Sequence, residues 1–351
     1  MLTPIELLPP AQARPDNPEW HELRRAGITA SEIAAVMGIS PYESPFSLYW
    51  RKLNRWEFEG NEYTRAGQHL EDAIADWWMA ERDPLENLQA QWAGLYAHPD
   101  RSWQLATPDR LLYLSCAACG GSGLAGPEDV EYGPLACREC DLAGYVGDPV
   151  ALLECKWVAH SWDGWGEPGS ADVPVHYRAQ ALWQLDVMSV TEVHFAALGP
   201  GGFRAYRVER DEADLKLMRE AGAEFYRRLV EQDPPPLDSH TATIGALKRL
   251  HPSVGEGDAE VGVVLHLAYD QARRDRKLAE DRIALCEAEI RAVLGDTYAR
   301  AVHDGQLVAS RSVFEQDRID TKRLRTERPE IAAEYTTTTT VDRLNPPRSK
   351  K

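Results

Sequence analysis

Two closely spaced cysteine pairs constrain this chain more than any other feature. Cys116-Ala-Ala-Cys119 and Cys137-Arg-Glu-Cys140 stand seventeen residues apart, a spacing inside the range typical of zinc sites. Glycines follow each pair closely (Gly120, Gly121, Gly123 and Gly144), so backbone N–H groups can approach sulfur. Four thiolates would close a tetrahedral shell, which makes such a zinc structural and not catalytic. Reversible disulfides or spare thiols are the bland alternative. An iron–sulfur cluster also takes four cysteines. Cys155 and Cys286 stand alone, and six cysteines are too few for a disulfide scaffold in 351 residues.

The pairs lie between two apolar runs, 111–114 and 150–157, that read as partner strands of a hairpin. The Gly- and Cys-rich residues 115–148 then form a knob at its tip. A loop that long needs an organiser of its own, and bound metal would be one.

Composition bounds the rest. The length allows two or three domains, or one decorated domain. The net charge of −17 makes the chain a poor nonspecific nucleic-acid binder, although a local basic groove or metal ions could carry positive charge. No apolar run approaches the ~18 residues needed to span a membrane, so no membrane association is expected. The N-terminus has Glu6, Pro4, Pro9 and Pro10 and no basic stretch, unlike a signal peptide. A cytoplasmic location is the expectation, the bacterial host cytoplasm if the chain is phage-encoded.

Along the chain, residues 1–17 read as a Pro-rich arm. Residues 20–82 read as helical. Thr29-Ala-Ser31-Glu32 has the spacing of a capping box opening a helix that Gly38 closes. A second helix is expected through 46–53 and a third over 65–81, with Leu70, Ile74, Trp77 and Trp78 on one face. Short strands follow from 88 to 158, then a loop (159–172), a helix (174–188), strands at 193–198 and 203–208, and a helix opened by Asp211. The run Pro234-Pro-Pro236 marks the expected end of the 18–232 domain. Residues 237–351 read as a charged helical hairpin, with a long helix over 260–294, plus a small mixed tail. The five threonines 336–340 suggest a strand, or else a linker.

Three segments bring carboxylates and a lysine together. Pro108-Asp109 precedes the hairpin. Glu154-Cys155-Lys156 lies in its second strand, where alternation puts Glu154 and Lys156 on one face and Cys155 on the other. Glu71 lies on the Trp-rich helix. A Glu and a Lys in mid-strand are costly to bury without partners. Divalent-metal phosphodiester hydrolysis wants this set. Asp109 and Glu154 are hard oxygen ligands for Mg²⁺, the Cys155 carbonyl and Glu71 could add to the shell, and Lys156 could orient or help deprotonate water or stabilise charge.

The ordered series Trp20-His-Glu-Leu-Arg24, Ile28-Thr29-Ala-Ser31-Glu32-Ile, Gly38-Ile-Ser-Pro41-Tyr42, Gly67-x3-Glu71, Pro108-Asp109, Glu154-Cys-Lys156 and Tyr177-x2-Gln180-x3-Gln184 resembles the phage lambda exonuclease/YqaJ-type viral recombinase family. It covers about residues 18–230. The resemblance implies an α/β (α+β) fold: a PD-(D/E)xK restriction-endonuclease-like core with a mixed central sheet flanked by helices. It implies a Mg²⁺- or Mn²⁺-dependent nuclease with Asp109, Glu154 and Lys156 as catalytic triplet and Glu71 as the helix carboxylate. Arg24 and Ser31 match positions that hold a 5′-terminal phosphate, though Ser31 could serve as a simple helix cap. Gln180 and Gln184 could orient the site or touch DNA, or form a polar stripe. The activity implied is 5′→3′ exonuclease action on linear double-stranded DNA, making 3′ overhangs for a single-strand annealing protein, with a homo-oligomer, a trimer by precedent. The departure from the family pattern is the 45-position gap between Asp109 and Glu154, which the cysteine knob fills. An endonuclease on the same core, or a non-catalytic zinc-containing DNA-end adaptor, stays open.

Other features are less specific. Trp162 and Trp165 read as core or as a stacking surface for a DNA end. The long helix reads as a solvated face, or as an oligomer contact through Leu267, Leu278 and Leu285. There is no Walker-type phosphate loop.

Overall fold

The computed structural model describes residues 3–56, 60–81, 87–125 and 135–346. Residues 126–134 of the expected knob, the first two residues of the arm and the last five of the tail lie outside that set. The chain divides into two compact units, Met1–Pro252 and Ser253–Lys351. No helix among the described residues is long and apolar enough to cross a membrane.

In chain order the first unit comprises β1 (Ile5–Leu8), α1 (Pro18–Ala26), β2 (Ile28–Thr29), α2 (Ile33–Val36), α3 (Pro45–Lys52), α4 (Glu62–Glu81), β3 (Leu88–Trp92), β4 (Leu95–His98), β5 (Arg101–Ala106), β6 (Arg110–Ser115), β7 (Leu124–Ala125), β8 (Leu135–Ala136), β9 (Tyr145–Trp157), α5 (Val175–Met188), β10 (Glu192–Gly199), β11 (Gly202–Glu209), α6 (Glu212–Glu231) and α7 (Thr241–Leu250). Several helices start on capping chemistry. Asn17 caps α1 ahead of Pro18. Ser44 and Ser47 form a reciprocal capping box on α3, and Asp211 accepts from two N–H groups of α6.

The larger sheet has the order β11-β10-β9-β6-β3. It is mixed: β9 and β10 run parallel, joined by the α5 crossover, and the other neighbours are antiparallel. The expected hairpin is present, with Leu111 opposite Leu152. Alternation along β9 sorts its side chains. Ala151, Leu153 and Cys155 join Ile74, Ala75 and Trp78 of α4, whereas Leu152 joins the main core under α5. Glu154 and Lys156 share the α5 face with Leu152. Each large side chain fully buried there contributes roughly 1.5–3 kcal/mol. Trp183 of α5 is fully buried. α6 can approach it because residue 222 is glycine: a Cβ there would lie 2.6 Å from the Trp183 ring.

The smaller sheet, β1-β4-β5-β2, corrects two expectations. The N-terminal arm is not all loop, because Ile5–Leu8 pairs with β4. Thr29 does not open a helix either. It ends β2, which pairs with β5, and residues 30–32 turn before the short α2. Only half of the expected box forms: the Glu32 carboxylate accepts the Thr29 N–H at 2.9 Å, while the Thr29 hydroxyl meets Ser31. The expected Trp77 face is also corrected. Ile74 and Trp78 point into the core, and Trp77 is exposed and stacks on Phe203.

The proline run 234–236 is not where the units part. α7 lies beyond it, and Thr243 meets the buried Ser44 hydroxyl at 2.6 Å, so the division falls after Pro252. The second unit contains α8 (Val263–Leu294), β12 (Arg300–His303), β13 (Gln306–Ser310), α9 (Thr321–Glu327) and α10 (Pro329–Glu334). The expected helical hairpin is instead one long helix followed by a β-hairpin. The threonines 336–340 form no strand; β-branched residues favour a sheet only where a neighbouring strand accepts them.

Candidate active site

Glu154 is 2 % exposed, a burial that demands partners. It has three. Its Oε1 accepts from Lys156 Nζ at 2.6 Å and from the Gln180 amide, and its Oε2 accepts from Gln184 Nε2 at 2.8 Å. Lys156 also donates to Gln180 Oε1 at 3.3 Å and sits 4.9 Å from the Tyr177 ring centroid. Tyr177, Gln180 and Gln184 are spaced i, i+3, i+7, one face of α5, and that face meets the polar face of β9. Burial works against the Lys156 charge, but Glu154 and Asp109 outweigh it and raise its pKa above the usual lysine value. Lys156 is therefore a charged donor at neutral pH.

Asp109 sits just ahead of β6, and its Oδ2 accepts the Cys155 N–H at 2.7 Å. This ties the two strands together at the hairpin's open end. The Cys155 carbonyl lies in the stretch of β9 paired with β10, opposite Ala196; a strand carbonyl keeps a second lone pair. Burial, then the neighbouring Glu154 and Glu71 charges, push the Asp109 carboxyl well above its ordinary range. Glu71 is raised as well, first by burial and then by Glu154 and Asp72, against the pull of Arg110. Carboxyls raised by neighbouring carboxylates in this way suit a bound cation. Among the described residues, the cysteines are the only set of three or more candidate ligands whose donor atoms all lie within 4.8 Å of one another. Glu71, Asp109 and Glu154 are a looser group.

Arg110 escaped the sequence reading. It is 5 % exposed and donates to Glu71 Oε1 at 2.9 Å and to Asp72, with its guanidinium 3.5 Å over the Trp92 ring. The available signal was an arginine opening an apolar strand directly after Pro-Asp.

Arg24 and Ser31 are brought together, with Arg24 Nη2 3.3 Å from Ser31 Oγ. Arg24 lines a cavity of about 80 Å³ with His21, Arg25, Glu32, Arg51 and Lys52 among others. Glu32 accepts from Arg51 at 3.0 Å and pairs with Lys52 at 2.6 Å. Burial opposes its ionisation, but Lys52, Arg51 and Arg24 together hold its carboxyl at about 2. Four cations against one wall carboxylate make this a local basic pocket in an acidic chain. Ser31 is exposed in the turn before α2 and does not lie in the first turn of a helix, so any anion affinity comes from side chains and not from a helix dipole.

The indoles of Trp162 and Trp165 are held by the protein. Trp162 donates to the Pro200 carbonyl at 2.7 Å under Arg204, and Trp165 packs on Tyr206 and Tyr177. They read as core.

Cys116, Cys119, Cys137 and Cys140 cluster at the hairpin tip, with Sγ–Sγ separations of 3.8 Å (116–137) and 3.7 Å (119–140). A tetrahedral ion with arms of about 2.3 Å has edges of ~3.8 Å, so the set fits zinc; all are free thiols. The N–H groups of Gly123 and Gly144 each donate to sulfur at 3.3 Å, as the glycine spacing suggested. The knob is also tied to the sheet, through Gln89 of β3 and the Gly121 carbonyl at 2.8 Å.

Fold and site together define a mixed α/β protein with an acidic, lysine-backed site on one face of its central sheet. The chain belongs to the YqaJ-like viral recombinase family, whose domain model matches residues 19–194. It is 22 % identical to the uncharacterized protein YqaJ of Bacillus subtilis (strain 168) over 327 residues, 89 % of this chain and 88 % of that protein. Among solved structures it is similar to an alkaline exonuclease (LHK-Exo) from Laribacter hongkongensis, at 20 % identity over 61 % of this chain and 93 % of that one, TM-score 0.42. It is also similar to a phage-related exonuclease from Haemophilus somnus 129PT, at 12 % identity over 59 % and 96 %, TM-score 0.35.

Proposed function

We propose that this chain is a divalent-cation-dependent exonuclease acting on linear double-stranded DNA, 5′→3′, leaving 3′ overhangs for a single-strand annealing protein. The observation that carries the reading is Glu154: a buried strand carboxylate fixed by Lys156, Gln180 and Gln184 beside the Asp109 and Glu71 carboxyls, both of which its charge raises. Asp109, Glu154, Glu71 and the Cys155 carbonyl would hold Mg²⁺ or Mn²⁺. Such an ion supplies charge neutralisation at the scissile phosphate and a more acidic water.

The chain's own groups do the rest. Lys156, held charged, orients the attacking water and balances developing negative charge; a raised pKa makes it a poor base. Gln180 and Gln184 hold the Glu154 carboxylate in one orientation. Arg24 and Ser31, backed by Glu32, Arg51 and Lys52, receive a 5′-terminal phosphate, which favours the 5′→3′ direction. The four cysteines hold a structural Zn²⁺.

A time course on end-labelled linear duplex beside a closed circle tests this. Linear DNA is degraded with Mg²⁺ and spared with chelator. Rapid cutting of the circle makes the chain an endonuclease instead, and binding of ends without cleavage makes it an adaptor.

A further inference from the structure

The second unit buries almost nothing of its own: among its described residues, Leu294 alone is buried. Its principal element, α8, is 32 residues long, about 48 Å. Large apolar side chains such as Leu265, Tyr269, Ile283 and Val293 stand exposed along it. Ordering so long a helix without a covered face is unfavourable, since helical stability in proteins comes mainly from tertiary packing.

One face of α8 follows a seven-residue rule, while Val264, Leu267, Leu278 and Leu285 stand exposed off it. Leu265, Ala272, Ala279, Cys286 and Val293 recur every seven positions, and so do Tyr269, Arg276, Ile283 and Ile290, four residues after the first set. Together they form the 3.5-residue seam of a coiled coil over four heptads. Arg276 is its one charged member.

Charge decides orientation. Residues 263–278 of α8 carry Arg273, Arg274, Arg276 and Lys277 against Asp270 and Asp275, whereas 279–294 carry Glu280, Asp281, Glu287 and Glu289 against Arg282 and Arg291. The halves have opposite sign. A parallel second helix would stack Arg276 on Arg276 in the seam and set Asp275 against Glu280. An antiparallel one, with its two-fold between Lys277 and Leu278, sets Arg273 against Glu280 and Asp275 against Arg282, each twice. Its seam layers become Leu265–Ile290, Tyr269–Cys286, Ala272–Ile283 and Arg276–Ala279. In three of them a large side chain meets a small one, and the Arg276 stem lies over an alanine with its head free to reach solvent.

We propose that α8 pairs with α8 of a second copy of this chain as an antiparallel coiled coil in this register. Cysteine chemistry reads the register directly in the full-length protein. In the antiparallel pair Cys286 faces Tyr269 of the other copy, and the two Cys286 residues are about 25 Å apart along the axis, far outside disulfide reach. Under mild oxidation the wild type therefore stays uncrosslinked through Cys286, whereas Tyr269→Cys gives a band of twice the chain mass on a non-reducing gel. Adding Ile283→Asp removes that band. Glu280→Arg weakens association roughly tenfold by light scattering, and Arg273→Glu in the same chain restores it. Crosslinking of the wild type through Cys286 would mean a parallel pair. Absence of the Tyr269→Cys band, in protein that keeps its nuclease activity, would mean that something other than a second copy covers α8. Either result overturns the proposal. The band reports the helix pair whether or not the nuclease units associate among themselves.

Discussion

Gln184 holds its amide nitrogen 2.8 Å from Glu154 Oε2 from a position with no solvent exposure, while its own Oε1 has no hydrogen-bond partner among the described residues. A buried, half-satisfied amide weakens a core. Its value lies in fixing the carboxylate. Gln184→Leu should therefore leave the thermal midpoint nearly unchanged and lower kcat by about 10–100-fold, with a matching rise in the Mg²⁺ concentration needed for half-activity. A loss confined to KM for DNA would assign Gln184 to substrate contact instead.

Glu154→Gln and Lys156→Ala should each reduce cleavage of linear duplex by several orders of magnitude. They should differ in cation binding. Lys156→Ala removes no ligand and should still bind Mn²⁺ by calorimetry, whereas Glu154→Gln should bind it much more weakly. Full activity in either variant would show that the hydrolytic centre lies elsewhere.

The helix that carries the glutamines is anchored by Asp186, whose carboxylate meets Arg101, Arg210, Arg219 and Gln104. Burial opposes the charge, but the hydrogen bonds from Arg219, Gln104 and Arg210 outweigh it and hold the pKa far below the usual aspartate value. A depressed carboxylate contributes stability that is present above the unfolded pKa of about 4 and is lost as pH falls toward the folded value. Asp186→Asn should destabilise the protein at pH 7 by about 3–5 kcal/mol, because Arg101 loses its counter-charge and Arg210 and Arg219 keep only Glu212. Its denaturant midpoint should also fall less steeply than that of the wild type between pH 4 and pH 2. Parallel acid profiles for the two proteins would contradict this.

Elemental analysis should find about one Zn²⁺ per chain. Cys137→Ser should release it and unfold the knob, since metal binding there is folding energy. Mg²⁺-dependent cleavage should fall only modestly, because the knob meets the sheet at the far end of the hairpin. Complete loss of cleavage in a folded variant would place the knob in the DNA path.

Arg24→Ala and Ser31→Ala should each erase the preference for a 5′-phosphorylated over a 5′-hydroxyl end, by roughly tenfold or more for the arginine. A wild type that degrades both ends at equal rates would remove the phosphate-pocket assignment.

Much of this was legible in the residues. The β6–β9 hairpin follows from apolar runs, and the shared face of Glu154 and Lys156 follows from a period of two. The Tyr177, Gln180 and Gln184 face follows from a period near 3.6. What escaped depends on contacts across elements. Arg110 matters because α4 brings Glu71 and Asp72 to it, which no local pattern records. Ile5–Leu8 looked like an arm because its prolines are local and its partner, β4, lies some ninety residues away. The turn at residues 30–32 has the spacing of a helix cap, but β2 takes Thr29 for the sheet.

The β6–β9 hairpin keeps its two ends apart. Asp109 and Glu154 lie at its open end and the cysteines at its closed end, some five strand residues or ~17 Å distant. Between them β9 bulges, with several residues from Val146 to Ala151 set against the two steps from Leu112 to Leu114 on β6. A bulge absorbs mismatch in length and twist. The turn of such a hairpin is a permissive address: segments can be exchanged, lengthened or deleted there while the spacing of Asp109 and Glu154 is preserved. Replacing residues 116–144 by a two-residue turn is accordingly the most conservative route to a minimal version of this protein, and a foreign metal-binding or peptide-binding loop grafted at the same point would ride on the sheet without disturbing its open end.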